Sequence, residues 1–191
     1  MTVKLEDFGI SAQSGFLPST DPLQKLPDKF KRWEEIALQI PKLLVADSLR
    51  KLVDSLPLIS IDGLNSEPEL ERAMMILSYI GHAYVWSGGK TISKIPKILA
   101  VPWYQLSLEL KRPPVLSYPS YALWNWRRID VSAPVALGNI ALLQNFLAGV
   151  DEEWFILIHV DIEAKAAKAI SKLLSLNDFV ESGDVKKLAL T

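Results

Sequence analysis

Apolar side chains return every three or four positions over most of this chain, the spacing that gives a helix one buried face. From Lys29, the residues Phe30, Trp33, Ile36, Ala37 and Ile40 keep that spacing until Pro41, which predicts a first helix ended by the proline. A second helix is predicted from Lys42 to Leu56, with Leu43, Leu44, Leu49, Leu52 and Val53 on its apolar side and Pro57 closing it. The Asp62-Gly63 pair predicts a turn, and Ser66 with Glu69 offers a capping box for a long helix from Glu67 to Trp86. Short helical pieces broken by prolines follow at Pro96 to Leu99 and Pro102 to Leu110. A further helix is predicted from Val135 to Leu147, where Gly149 ends it. Strand signals are few: Leu58 to Ile61 and Val115 to Ser117 are the candidates. The fold class expected is all-α, mainly helical.

The chain between Asp151 and Ile170, DEEWFILIHVDIEAKAAKAI, is the most informative of these segments. Asp151 is a candidate N-cap, Glu152 and Glu153 put negative charge at the positive end of the dipole, and Lys165 and Lys168 follow. Phe155, His159 and Glu163 lie four residues apart, so a ring, an imidazole and a carboxylate share one face. Trp154, Ile158 and Ile162 form the neighbouring stripe. With Ile156 and Leu157 added, the helix is apolar nearly all round, which predicts burial. The pattern continues through Leu173, Leu174 and Leu176, and Asn177 and Gly183 interrupt it before a tail with Lys186 and Lys187. Two readings of His159 follow from the residues alone. It is a core histidine bonded to a carbonyl or to Glu163, or it lines a pocket with Phe155 for a flat aromatic ligand.

Elsewhere the chemistry is sparse. Val115 to Trp126 holds two Tyr and two Trp, with Pro119 biasing Tyr118 away from helical geometry, and reads as an aromatic plug between layers. His82 sits among aromatic neighbours at helical spacing and reads as core. Ser87-Gly88-Gly89-Lys90 lacks the spacing of a phosphate loop, and Arg127, Arg128 and Asp130 read as a solvated helix end. Met1 to Asp28, with Gly15, Pro18, Pro22 and Pro27, reads as an extended arm laid over the core.

Composition narrows the function classes. A chain of 191 residues that is 49% hydrophobic and 23% charged can bury one sizeable core. Its net charge of −1 gives no electrostatic case for nucleic acid or an anionic membrane. The absence of cysteine excludes disulfides and thiolate metal sites. Met1 to Ile10 does not read as a signal peptide, and no apolar run approaches the roughly 20 residues that span a bilayer, so cytoplasm is expected.

Several segments together resemble a known family. The run from Phe155 to Glu163, F-I-L-I-H-V-D-I-E, is similar to the distal-side helix of tryptophan 2,3-dioxygenase. The wider chain resembles the sister indoleamine 2,3-dioxygenase family at GFLP (Gly15 to Pro18), DPL (Asp21 to Leu23), GHAYVW (Gly81 to Trp86), AVPW (Ala100 to Trp103) and RPPVLSYPSYALWNWRRID (Arg112 to Asp130). The resemblance implies a small N-terminal helical domain over residues 1–149 and the start of a larger helical haem domain over 150–191. It also implies haem b, O2, and tryptophan or a related indole as substrate, opened to N-formylkynurenine. His159 would then be catalytic, accepting a hydrogen bond from the indole N–H. Phe155 would pack on the ring, with Tyr118, Tyr121 and Ala122 at wall positions. The familiar indoleamine enzymes have Ser at the place of His159 and a smaller side chain at that of Tyr121.

The same resemblance places the proximal iron ligand beyond Thr191, and no residue of this chain is assigned to metal. The two histidines present are His82, in the small domain, and His159, whose use as an axial ligand would remove it from the distal role. Three expectations follow. The chain is the N-terminal part of a haem dioxygenase, completed by a C-terminal half or by self-association, and leaves an apolar face of the Asp151 to Leu176 helix open. Alternatively, it is a haem-free module that binds an aromatic or a protein, with its tail after Ile170 folded back over that face. In the third case every motif is plain helical core.

Overall fold

A computed structural model describes residues 4–182 and is mainly helical. The elements, in chain order, are α1 (Lys31–Val45), α2 (Leu49–Asp54), α3 (Glu67–Trp86), α4 (Lys97–Glu109), β1 (Trp126–Arg128), β2 (Ile140–Leu142) and α5 (Val150–Ser182). Between α4 and β1 the chain makes one π-helical turn, Pro119–Leu123. Helix α3 is the axis of the molecule: residues from Glu71 to Gly81 are buried on every side, with α1 and α2 against it on one flank and α4 on another. Its start was legible in the chain, since the Glu69 carboxylate accepts from the N–H groups of Asn65 (2.8 Å) and Ser66 (3.0 Å). Phe30, Trp33, Ile36 and Ile40 fill the main core with Met74, Leu77, Ile80, Leu99 and Leu106. A smaller core of Leu17, Trp126, Ile140, Leu157 and Val160 lies under α5.

Five expectations are corrected. Pro41 does not end the first helix: α1 runs through it to Val45, and α2 is only the short segment after a turn at Asp47. A proline cannot donate to the carbonyl four residues back, here Ala37 O, and Gln144 Nε2 donates to that oxygen instead at 2.8 Å. The pieces around Pro102 are likewise a single helix, α4. The helix predicted from Val135 to Leu147 is instead a turn and the strand β2, paired antiparallel with β1 in the register Trp126↔Leu142. Gly138 takes φ +89°, and Asn139 Nδ2 donates to Asp130 O and Pro134 O, so turn chemistry outweighs the apolar spacing. Arg128 is therefore no helix end: it sits in β1, half-buried, with Nε 3.0 Å from both Asp21 oxygens. Neither Leu58 to Ile61 nor Val115 to Ser117 forms a strand.

The N-terminal arm is extended and interrupted by 3-10 turns at Leu5–Phe8 and Asp28–Phe30. It docks on α5 through Gly15, whose φ of +62° strains any side chain and where a Cβ would sit tightly, 3.3 Å from Ala167 Cα and Glu163 O. Helix α5 begins at Val150, so Asp151, the expected N-cap, lies inside it, and Glu152 reaches back to accept from Phe146 N (2.8 Å) and Leu147 N (2.9 Å) of the preceding loop. It runs through Asn177 without a break, while Gly183, Lys186 and Lys187 lie outside the described residues.

Candidate functional site

The face of α5 that carries Phe155, His159 and Glu163 meets the π-helical turn that carries Tyr121, with Tyr118 as its N-cap. Insertions of this kind re-aim side chains and recur at functional sites; contrary to the expectation from Pro119, Tyr118 is itself helical (φ −51°, ψ −42°), because Pro119 sits at the first position of the turn, where its missing N–H is not needed. The rings form a continuous series. Phe146 lies 4.5 Å from Tyr79, Tyr79 stacks on Tyr121 at 6.4 Å, Tyr121 meets Phe155 at 6.2 Å, and Phe155 lies 4.7 Å from His159. Tyr118 presents its edge to His159 at 6.1 Å and 74°.

Two hydrogen bonds fix the polar groups. His159 Nδ1 lies 2.6 Å from Phe155 O. A carbonyl only accepts, so Nδ1 carries the proton and Nε2 of the neutral ring is the acceptor. Tyr118 donates its hydroxyl to Glu163 Oε1 at 2.9 Å. Burial, and then this bond to a carboxylate, push the Tyr118 phenol up to about 12. Burial also raises Tyr79 and Tyr121, so all three phenols hold their protons across the neutral range.

Four of the sequence-predicted residues, Tyr118, Tyr121, Phe155 and His159, thus come together. Ala122 does not share their surface, being only 1% exposed. The expected all-round burial of α5 is also corrected. Ile156, Leu157 and Val160 are buried, whereas Trp154 (53%), Phe155 (55%), Ile158 and Ile162 are exposed. The reason is geometric: one long helix packs one side on the hairpin and the π-turn, Trp154, Ile158 and Ile162 on the other side stay exposed, and Phe155 at the edge is only partly covered, by Tyr121.

Sequence reasoning missed the layer behind the site. Tyr79 belongs to the middle of α3 and has no local signal. Asn125 joins everything: its Nδ2 donates to Tyr79 Oη (3.0 Å), Tyr121 O (3.1 Å) and Gln144 O (2.9 Å), and its Oδ1 accepts from Gln144 N (2.8 Å). A lone amide inside the aromatic run was the available signal. His82 is structural, half-buried, with Nδ1 on Ser78 O at 2.9 Å and its ring at the edge of Trp103.

The residues present do not fit a chain that holds haem by itself. A macrocycle needs apolar walls on both faces and an axial donor. His82 is built into the α3–α4 contact, and His159 has one wall and open surface opposite it. A cavity of about 680 Å³ lies elsewhere, on α4 beside Ile95, Trp103, Tyr104 and Leu108. No helix among those residues is long and apolar enough to cross a membrane.

The family model described as indoleamine 2,3-dioxygenase matches residues 4–190. The chain is 36% identical over 187 residues to indoleamine 2,3-dioxygenase 1 of Mus musculus, covering 96% of this chain and 46% of that protein. It is 33% identical over 189 residues to indoleamine 2,3-dioxygenase of Saccharomyces cerevisiae, covering 94% and 42%. Against indoleamine 2,3-dioxygenase qulI of Penicillium citrinum the identity is 31% over 192 residues. The chain therefore spans a little under half the length of these relatives, and with a family match over nearly all its residues it belongs to the indoleamine 2,3-dioxygenase family.

Proposed function

We propose that this chain supplies the indole-binding side of a dioxygenase pocket that a complementary C-terminal half completes. The observation that carries this is His159: with Nδ1 held by Phe155 O, Nε2 is an acceptor on an open surface beside the Phe155 and Tyr118 rings. An indole laid on Phe155 would present its N–H to that nitrogen, and the Tyr118 and Tyr121 rings would limit its tilt. In this reading residues 1–149 are the small domain, residues 150–191 open the larger one, and Ala122 supports the wall from behind. Haem b, carried by residues outside this chain, supplies the oxygen chemistry when bound. The part of this chain is to orient the indole of tryptophan and to exclude water from its ring. A haem-free module whose tail covers the same face is less well supported, because α5 continues straight to Ser182 instead of folding back after Ile170.

The test is titration of the labelled chain with indole and with 1-methylindole, read by amide chemical shifts. Indole should perturb Phe155, His159 and Tyr118 and bind about five- to tenfold more tightly than 1-methylindole, the value of one hydrogen bond of about 1 kcal/mol. His159→Ala should abolish that preference while leaving ring binding in place. Equal binding of the two ligands by the unaltered chain would refute the role of His159. Absorption spectra with haemin should show no sharp histidine-ligated Soret band for the chain alone.

A further inference from the structure

A second cleft, remote from the α5 face, has the features of an anion site. It has a volume of about 390 Å³ and lies between α1, the start of α3 and the β1–β2 hairpin. Arg72 forms part of its wall. Its side chain is 6% exposed, and Nε and Nη2 donate to Glu34 at 3.1 and 2.7 Å. Its Nη1 is buried and has no hydrogen-bond partner among the described residues. A buried guanidinium nitrogen left without an acceptor costs free energy, and a ligand oxygen would supply what is missing.

The surrounding charges select the ligand. Lys25, Lys31, Arg72 and Arg127 line the cleft with Glu34 and Glu35, four positive groups against two negative. Glu34 is taken by Arg72, Glu35 by Lys31 and Arg32, and Lys25 lies 3.8 Å from Asp28. Arg127, half-buried on β1, makes no ion pair among the described residues. Two guanidinium groups with spare donors suit the planar, bidentate geometry of a carboxylate. The two glutamates in the wall disfavour a dianion. Leu142 and Leu143 give the cleft an apolar side.

We propose that this cleft binds a small monocarboxylate with an apolar body, its carboxylate held between Arg127 and Arg72. The site is independent of the α5 face. The probe is phenylacetate, titrated into the labelled full chain beside phenethylamine, phenylacetamide and acetate. Phenylacetate should shift the amides of Arg127, Leu143 and Gln144 saturably. Acetate should bind at least fivefold more weakly, and the amine and the amide should give no saturable shift there. Arg127→Gln, a change at a half-exposed position, should weaken phenylacetate at least fivefold. Equal shifts from phenethylamine, equal affinity for acetate, shifts confined to α5, or unchanged binding by Arg127→Gln would each overturn the assignment. The ligand series on the unaltered chain decides the matter even if the variant fails to fold.

Discussion

Asn125→Ala is the most demanding test of how the aromatic face is held. The amide makes four hydrogen bonds, to α3 through Tyr79, to the π-turn through Tyr121 O, and to both backbone groups of Gln144. Asn125 is fully buried and Gln144 nearly so, so water does not stand in for the lost groups without opening the core. Truncation leaves Gln144 N without its acceptor and the Tyr121 and Gln144 carbonyls without a donor. Each buried group left unsatisfied costs about 1–3 kcal/mol, and the small cavity adds to that. Carbonyls tolerate loss better than N–H groups, and some relaxation occurs, so a total of about 3 kcal/mol is expected. That is a large part of a typical stability of about 5–15 kcal/mol.

Urea unfolding followed by tryptophan fluorescence measures the loss directly, and for a domain of this size a thermal melt should fall by roughly 6–12 °C. The same variant should loosen the Tyr79–Tyr121–Phe155 stack, broadening the Phe155 ring resonances while distant α4 signals stay sharp. A loss below about 1 kcal/mol with an unchanged Phe155 signal would show that the amide is not what joins the π-turn to α3.

Other consequences are as definite. Gly81→Ala gains about 1 kcal/mol of helix propensity, but its Cβ would lie 2.5 Å from Trp103 Cζ3 in a ring that also bonds Ser78 Oγ; a net loss of about 1–2 kcal/mol in urea melts is expected. The raised Tyr118 phenol contributes stability that is fully present below about pH 10 and is lost as pH rises through about 12; absorbance at 295 nm, with Tyr118→Phe as blank, should show that titration, and Glu163→Gln should lower it part-way. Leu157→Ala on the packed side of α5 should cost about 2–4 kcal/mol, whereas Ile158→Ala one residue on should cost under about 1, and equal losses would contradict the assignment of the two faces.

Much of this fold was legible from local signals, and the failures have more than one cause. The bounds of α3 followed from Ser66, Glu69 and the apolar run because every group that starts the helix is within four residues. Pro41 misled because the group that compensates for it, Gln144, is remote in sequence. The Val135 to Leu147 segment misled because Gly138 and Asn139 turn the chain within an otherwise helical spacing. At the site, periodicity put Phe155, His159 and Glu163 on one face, and resemblance added Tyr118 and Tyr121. Neither reached Tyr79 or Asn125, which join the site only through tertiary contacts.

The division of α5 into two apolar sides connects the fold to the proposed function. Ile156, Leu157, Val160 and Ala167 anchor the helix, while Trp154, Ile158 and Ile162 stay exposed and Phe155 is only partly covered, by Tyr121. Trp154, Phe155, Ile158 and Ile162 are each 39–55% exposed, and burying a full side chain of this kind is worth about 1.5–3 kcal/mol. Covering the exposed part of all four would yield roughly 3–6 kcal/mol, comparable with the cost of bringing a partner to the surface. Apolar exposure alone would therefore favour only weak association, so the proposed complementary half would have to contribute contacts beyond this stripe. On the proposed function, His159 beside the stripe would offer its acceptor nitrogen where a covering partner shuts out water, and there a single indole N–H bond would discriminate most strongly.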